Sequence, residues 1–282
     1  MSKRGPIVAQ TEDGSNTAAP GASFRERYIE ADGFRIRYME AGHGTPLVHL
    51  HGAGGVRLTP GHDRLRGRHR VIGFEMPGFG LSPENTRTRT MPELAGTMAA
   101  AISNLGIDKF NLMGTSFGAK AALWLAVQQP ERVEALVLEA PAAIRPTGSE
   151  PPSGSPEEMA RRLYAHPERL APLPVPDPAI QAKMRALVAR LRGPDRDADL
   201  ETQMRRLPTP TLVLFGTLDR VIPPEMGRFY KELLPNCHLV FVYDAGHAIS
   251  TERPEAFTEV TVDFLERREA FVVSRTETVI HP

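Results

Sequence analysis

Three residues of this chain carry the groups that acyl transfer needs, a nucleophile, an acid and a base. Ser116 lies in Leu112-Met113-Gly114-Thr115-Ser116-Phe117-Gly118-Ala119, an apolar run, then Gly-x-Ser-x-Gly, then an alanine-rich stretch. A serine on a tight turn from strand to helix has a strained backbone and an exposed hydroxyl. Gly114 and Gly118 lack the side chains that would clash at such a turn. The helix behind Ser116 presents positive partial charge to a developing anion.

A serine nucleophile needs a base, and the base needs a group that orients it. Downstream, Thr211-Leu212-Val213-Leu214-Phe215-Gly216 reads as a strand, and its loop carries Asp219. A second apolar run from His238 ends in Asp244-Ala245-Gly246-His247. Glu252-Arg253-Pro254 then opens a helix, with Pro254 suited to its first turn. In this reading His247 takes the Ser116 proton and later returns it to the leaving group. Asp219 accepts from the other ring nitrogen and fixes the tautomer. Phe117, directly after the nucleophile, offers one backbone N–H to an oxyanion.

Alternating strands and helices must position these loops. Residues 1–22 are rich in Gly, Ser, Ala, Thr and Pro and read as a flexible tail. Phe24 to Ile29 and Phe34 to Glu40 read as a hairpin turning at Ala31-Asp32-Gly33. Pro46 to Leu50, His69 to Phe74, Lys109 to Met113 and Val133 to Glu139 read as buried strands of a parallel sheet. Helices are expected at Pro92 to Leu105 and Ser116 to Gln129. Residues 146–207 break the alternation: prolines and glycines bound helical stretches at Glu157 to His166, Ala179 to Arg192 and Ala198 to Leu207. The expected organisation is a core of residues 23–145 and 208–268, a helical lid at 146–207, and a C-terminal extension at 269–282. The extension holds Phe271 to Ile280, whose β-branched content suits either a strand at a sheet edge or partner subunit, or a disordered tail.

With these segments in hand, the chain resembles the α/β-hydrolase superfamily from about Arg25 to about Arg268. The matching segments are His51-Gly52-Ala53-Gly54-Gly55, Met76-Pro77-Gly78-Phe79-Gly80-Leu81-Ser82, the Ser116 turn, the Gly216 to Pro223 loop, and Ala245-Gly246-His247. The resemblance implies an α/β-hydrolase fold: a mostly parallel eight-stranded sheet flanked by helices, with a helical lid insertion. It implies the chain order nucleophile, acid, histidine. It makes Ala53 the second oxyanion donor and His51 a hydrogen-bonded structural histidine. It also raises Glu139 as an alternative acid, because some haloalkane dehalogenases place theirs at that strand end. The Asp219 loop matches the commoner arrangement. Two departures stand out. Glu75 occupies a place where aspartate is usual. Ala248 follows the histidine where meta-cleavage C–C bond hydrolases carry tryptophan.

The nucleophile is serine, which argues against the aspartate-based epoxide hydrolases and dehalogenases. The leading expectation is therefore a carboxylesterase-like hydrolase that cleaves carboxylic esters or thioesters of small apolar substrates through an acyl-enzyme. A C–C bond hydrolase of meta-cleavage type and a ligand receptor on a hydrolase scaffold stand as alternatives. Lid residues Met159, Leu163, Tyr164, Leu173, Val175, Ile180, Met184, Leu187 and Leu191 either line the pocket or pack the lid on the core. With 34 basic and 34 acidic residues the formal net charge is zero, so no nucleic-acid or anionic-membrane partner is expected. No 18-residue apolar run or signal-like leader is present, and the expected location is the cytoplasm. One cysteine, Cys237, reads as a buried structural thiol. No metal or cofactor is expected. The expected partner is a small-molecule substrate, with a homodimer possible.

Overall fold

The computed structural model describes residues 19–172, 175, 177–271 and 279–280. The chain opens with a hairpin of β1 (Arg25–Ala31) and β2 (Phe34–Ala41), paired antiparallel with Ala31 opposite Phe34. Asp32 and Gly33 turn it with φ of 48° and 70°. A two-residue loop with both φ positive matches the twist of the flanking strands, and Asp-Gly suits it.

Next come β3 (Pro46–Leu50), α1 (Pro60–Leu65), β4 (Arg70–Phe74), α2 (Met91–Asn104), β5 (Phe110–Thr115), α3 (Phe117–Gln128) and β6 (Val133–Glu139). The insertion holds α4 (Pro156–Leu163), α5 (Pro178–Leu191) and α6 (Ala198–Met204). The chain returns through β7 (Thr211–Gly216), α7 (Gly227–Leu233), β8 (Cys237–Val242), α8 (Ile249–Glu252), α9 (Pro254–Arg267) and β9 (Val279–Ile280). The sheet order is β1-β2-β4-β3-β5-β6-β7-β8-β9, with β3 to β8 mutually parallel. The eight expected strands are thus β1 to β8. A short ninth pairs antiparallel with β8, Ile280 opposite Phe241, so the end of the C-terminal extension does lie on a sheet edge. The remainder of that extension from Val272 to Thr278 lies outside the described residues, as do most of the tail expected at 1–22 and Leu173.

Both faces of the parallel strands are covered, which is why they read as unbroken apolar runs. Leu136, Leu138, Val213 and Phe215 face one layer with Met98, Trp124 and Tyr230. Ala135, Val137, Leu212 and Leu214 face the other with Leu65, Phe257 and Phe264. The insertion joins the first layer through Leu187, Leu191, Leu200 and Met204. Cys237 is buried, and desolvation pushes its thiol up to about 12, in keeping with a structural thiol.

Candidate active site

Ser116 sits between β5 and α3 with φ 52° and ψ −113°, a left-handed backbone rare for a residue with a side chain. The strain is held by close packing on both sides. A Cβ on Gly114 would stand 2.6 Å from the Ala119 Cα, and one on Gly118 would stand 2.2 Å from the Leu50 carbonyl oxygen. These two glycines let α3 press against β5 and against the end of β3.

The three residues read from the sequence meet. His247 Nε2 lies 2.9 Å from Ser116 Oγ, and His247 Nδ1 lies 2.8 Å from Asp219 Oδ2. The other Asp219 oxygen accepts from Val221 N at 2.8 Å and Ile222 N at 3.0 Å, so the carboxylate cannot swing. Asp219 and His247 are both buried. A carboxylate on Nδ1 places the ring proton there and leaves Nε2 free to accept from the serine hydroxyl. Such an array can generate a serine nucleophile and return its proton.

Glu139, the alternative acid, does not stand on the His247 ring. Its Oε1 accepts from Ser250 N at 2.7 Å and its Oε2 from Thr115 Oγ1 at 2.8 Å. The loop bearing Ala53 runs beside the nucleophile: a Cβ on Gly52 would lie 3.5 Å from the Ser116 Cβ. His51 anchors that loop. Its Nδ1 donates to Gly52 O at 2.7 Å, and its Nε2 accepts from Met76 N at 3.1 Å. Burial lowers its pKa to about 4 and keeps it neutral. Glu75, where aspartate is usual, accepts from Arg37 at 2.5 Å and from Ser82 Oγ at 2.8 Å and so holds a structural hydrogen-bonding position.

The insertion is fastened around this array. Leu163 O accepts from His247 N at 2.8 Å and from Ala248 N at 3.3 Å. Glu252 accepts from Ala165 N and Gly246 N, both at 2.7 Å, and binds the insertion to the histidine loop. Arg190 Nε donates to Thr88 O at 2.9 Å, and Lys183 Nζ donates to Ser82 O. The buried Lys120 of α3 donates to Arg192 O at 3.0 Å and lies 3.4 Å from Asp197. Sequence reasoning missed Glu252, Lys120, His49, His62 and Thr115 as parts of this surround. Period-two spacing of His49 in β3 and His51 just beyond its end carried one signal, since an extended chain sets both on one face.

The model of the family described as "Alpha/beta hydrolase family" matches residues 47–260. The chain belongs to this family and is a hydrolase. Among its relatives, 2-hydroxymuconate semialdehyde hydrolase of Pseudomonas putida is 31% identical over 271 residues, covering 86% of this chain and 95% of that one. The 2-hydroxy-6-oxo-6-(2'-aminophenyl)hexa-2,4-dienoic acid hydrolase of Metapseudomonas resinovorans is 27% identical, covering 88% and 93%. A solved meta-cleavage product hydrolase from Pseudomonas fluorescens superposes with a TM-score of 0.75 at 21% identity, over 85% of this chain and 97% of that one. These names overturn the expectation of carboxylic ester or thioester cleavage, because the relatives are hydrolases of hydroxy-oxo-dienoic acids. The physical reason is that a serine array activates a nucleophile without encoding the bond it meets. Ala248 in place of tryptophan weighed too heavily in the sequence reading. That residue meets the insertion through its backbone N–H, which any non-proline residue supplies. No helix among the described residues is long and apolar enough to cross a membrane.

Proposed function

We propose that this chain hydrolyses the C–C bond beside the 6-oxo group of a 2-hydroxy-6-oxo-dienoic acid, with Ser116 as nucleophile, His247 as base and Asp219 as its orienter. The observation that carries this reading is His247 bridging Ser116 and Asp219 in a chain similar, over nearly its whole length, to 2-hydroxymuconate semialdehyde hydrolase.

The chemistry suits the array. The substrates named for the relatives contain no ester, so their hydrolysis must break carbon from carbon. In the 2-oxo tautomer, with a proton moved to C5, Ser116 Oγ adds to C6 while His247 takes its proton. The C5–C6 bond then breaks, and its electron pair passes through the C3–C4 double bond to the C2 oxygen. The leaving dienolate takes up the proton held by His247, which is again a free base. The products of this half are an acyl-enzyme and a 2-hydroxypenta-2,4-dienoate. Water, deprotonated by His247, releases the acyl group as a carboxylic acid. The N–H groups of Phe117 and Ala53 face the C6 oxyanion in both halves.

Residues 146–207 serve as the lid. Leu187 and Leu191 pack into the core, while Met159, Leu163, Ile180 and Met184 are half-buried, and these four are assigned to the substrate side, Met184 also touching the core. Support comes from the Leu163–His247 bonds and from Met184, whose Cε lies 3.8 Å from the Cβ position of Gly55.

The test is the loss of the dienoate chromophore. Purified protein is mixed with 2-hydroxymuconate semialdehyde, with its 6-phenyl counterpart, and with a neutral ester of matched size. Turnover of at least one dienoate above the ester supports the reading. Turnover of the ester alone, or a ligand-induced rise in Tm with no turnover at all, contradicts it.

A further inference from the structure

The array leaves one buried carboxylate unaccounted for. Glu139 ends β6 and binds on both sides of the Ser116–His247 pair. Its backbone carbonyl accepts from Ser116 N at 2.9 Å, and its Oε2 from Thr115 Oγ1, one residue before the nucleophile. Its Oε1 accepts from Ser250 N, three residues beyond the base.

Behind Thr115 runs a chain of buried donors whose direction is fixed at its far end. Thr59 N–H donates to His62 Nδ1 at 3.1 Å. A nitrogen that accepts carries no proton, so the His62 proton sits on Nε2. Nε2 donates to His49 Nδ1 at 3.0 Å, which places the His49 proton on its own Nε2. That group donates to Thr115 Oγ1 at 3.0 Å, and the Thr115 hydroxyl donates to Glu139. The Thr59 hydroxyl also lies 2.8 Å from His62 Nδ1, and with the backbone N–H already aimed at that nitrogen it donates in the same direction. Both histidines stay neutral, since burial lowers His62 to about 4 and His49 well below its usual value.

Every donor in the chain points to Glu139, and Ser250 N–H points at its other oxygen. A proton on Glu139 Oε2 would have to donate to Thr115 Oγ1 and would take from the Thr115 hydroxyl the acceptor it now has. Burial raises the Glu139 carboxyl above its ordinary value, and the Ser250 and Thr115 bonds and the nearby His247 offset only part of that rise. The ionised form alone satisfies the whole chain.

We propose that Glu139 is a positioning residue for the Ser116–His247 pair, held as a carboxylate by the Thr59–His62–His49–Thr115 chain. It fixes the base loop against the nucleophile turn, and its charge favours the imidazolium that forms when Ser116 gives up its proton. The inference rests on the roles proposed above for Ser116 and His247 and not on the identity of the substrate. The titratable groups around His247 are Ser116, Asp219, Glu139, Glu252 through Gly246, and Tyr164 beside Leu163.

The test is the rate at which a fluorophosphonate labels Ser116, followed by intact mass from pH 5 to 9. Labelling needs no dienoate, so a chain that labels without hydrolysing dienoates sinks the C–C reading and leaves this one standing. Glu139→Gln should slow labelling on the order of 10- to 100-fold, as expected of a misplaced catalytic pair. Its labelling profile should move to lower pH, because the anion that favours the imidazolium is gone. Glu139→Asp keeps the charge and should recover part of the rate. His62→Leu cuts the chain three links from Glu139 and should slow labelling in the same direction, by less, even if Glu139→Gln does not fold. Wild-type rate and midpoint in a folded Glu139→Gln, or in His62→Leu where Glu139→Gln does not fold, would overturn the proposal and leave the chain a structural device. Wild-type protein that takes no label would remove the premise and overturn it as well.

Discussion

Asp219 and Glu139 are buried carboxylates, one in the loop after β7 and one at the end of the neighbouring β6, and their hydrogen bonds separate their tasks. Asp219 alone meets the His247 ring. Asp219→Asn should therefore favour the wrong tautomer and cut kcat on the order of 10⁴-fold, as loss of the orienting acid does in other triads. Glu139→Gln should cost far less in the same assay. Near-equal losses would mean that the two carboxylates share the role. Asp219 was legible because a glycine-ended apolar run leads straight into its loop. Glu139 left two readings open, because its partners Ser250, Thr115, His49 and His62 come from four separate elements. No local pattern joins residues 62 and 250.

The elements that present these residues were read to within a few residues wherever apolar periodicity was strong. The strand Val133–Glu139 and the start of β7 agree with the structure residue for residue. The insertion helices begin one residue earlier than expected in two cases, because Pro156 and Pro178 occupy first-turn positions behind Ser155 and Asp177 caps. Three short helices escaped, α1, α7 and α8. In α1 the cap partner of Thr59 is His62 rather than the usual glutamate or glutamine, and α7 and α8 have no side-chain cap. At this scale the contrast within α5 is testable. Leu187 is buried in the core layer, and Leu187→Ala should lower stability by roughly 2–5 kcal/mol in urea unfolding. Met184 is half-buried near Gly55, so Met184→Ala should change the preference among 6-substituted dienoates with a smaller stability loss. The lid role would fail if both variants lost stability equally and kept the wild-type preference. Gly118→Ala probes the turn itself. Its Cβ would press on the Leu50 and His51 carbonyls, so it should lower stability by about 1–3 kcal/mol or more and abolish Ser116 labelling.

Taken as a whole, the molecule buries several neutral histidines beneath one site, and this shapes its response to acid. His51 and His62 are lowered to about 4 and His49 well below the ordinary 6.5, each chiefly by desolvation. As pH falls the unfolded chain takes up these protons first. Their contribution to stability is complete above pH 6.5 and is lost on the way down to about 4. Each such histidine approaches a loss of roughly 1.4 kcal/mol per pH unit in that window. Glu139 opposes them, because its raised folded-state pKa relieves its own burial cost in acid. We expect Tm to decline steadily from pH 6.5 downward. A Tm that stayed flat to pH 4 would show that the buried histidines take up protons without cost. The proposed reaction is tested most directly by hydrolysis of a 6-phenyl dienoate in ¹⁸O-labelled water, with both products identified by mass. If Ser116 attacks C6 and the C5–C6 bond breaks, benzoate carries one ¹⁸O, the hydroxypentadienoate carries none above its exchange control, and Ser116→Ala yields neither product. Recovery of intact, unlabelled dienoate from the wild-type enzyme, or cleavage that persists in Ser116→Ala, would contradict it.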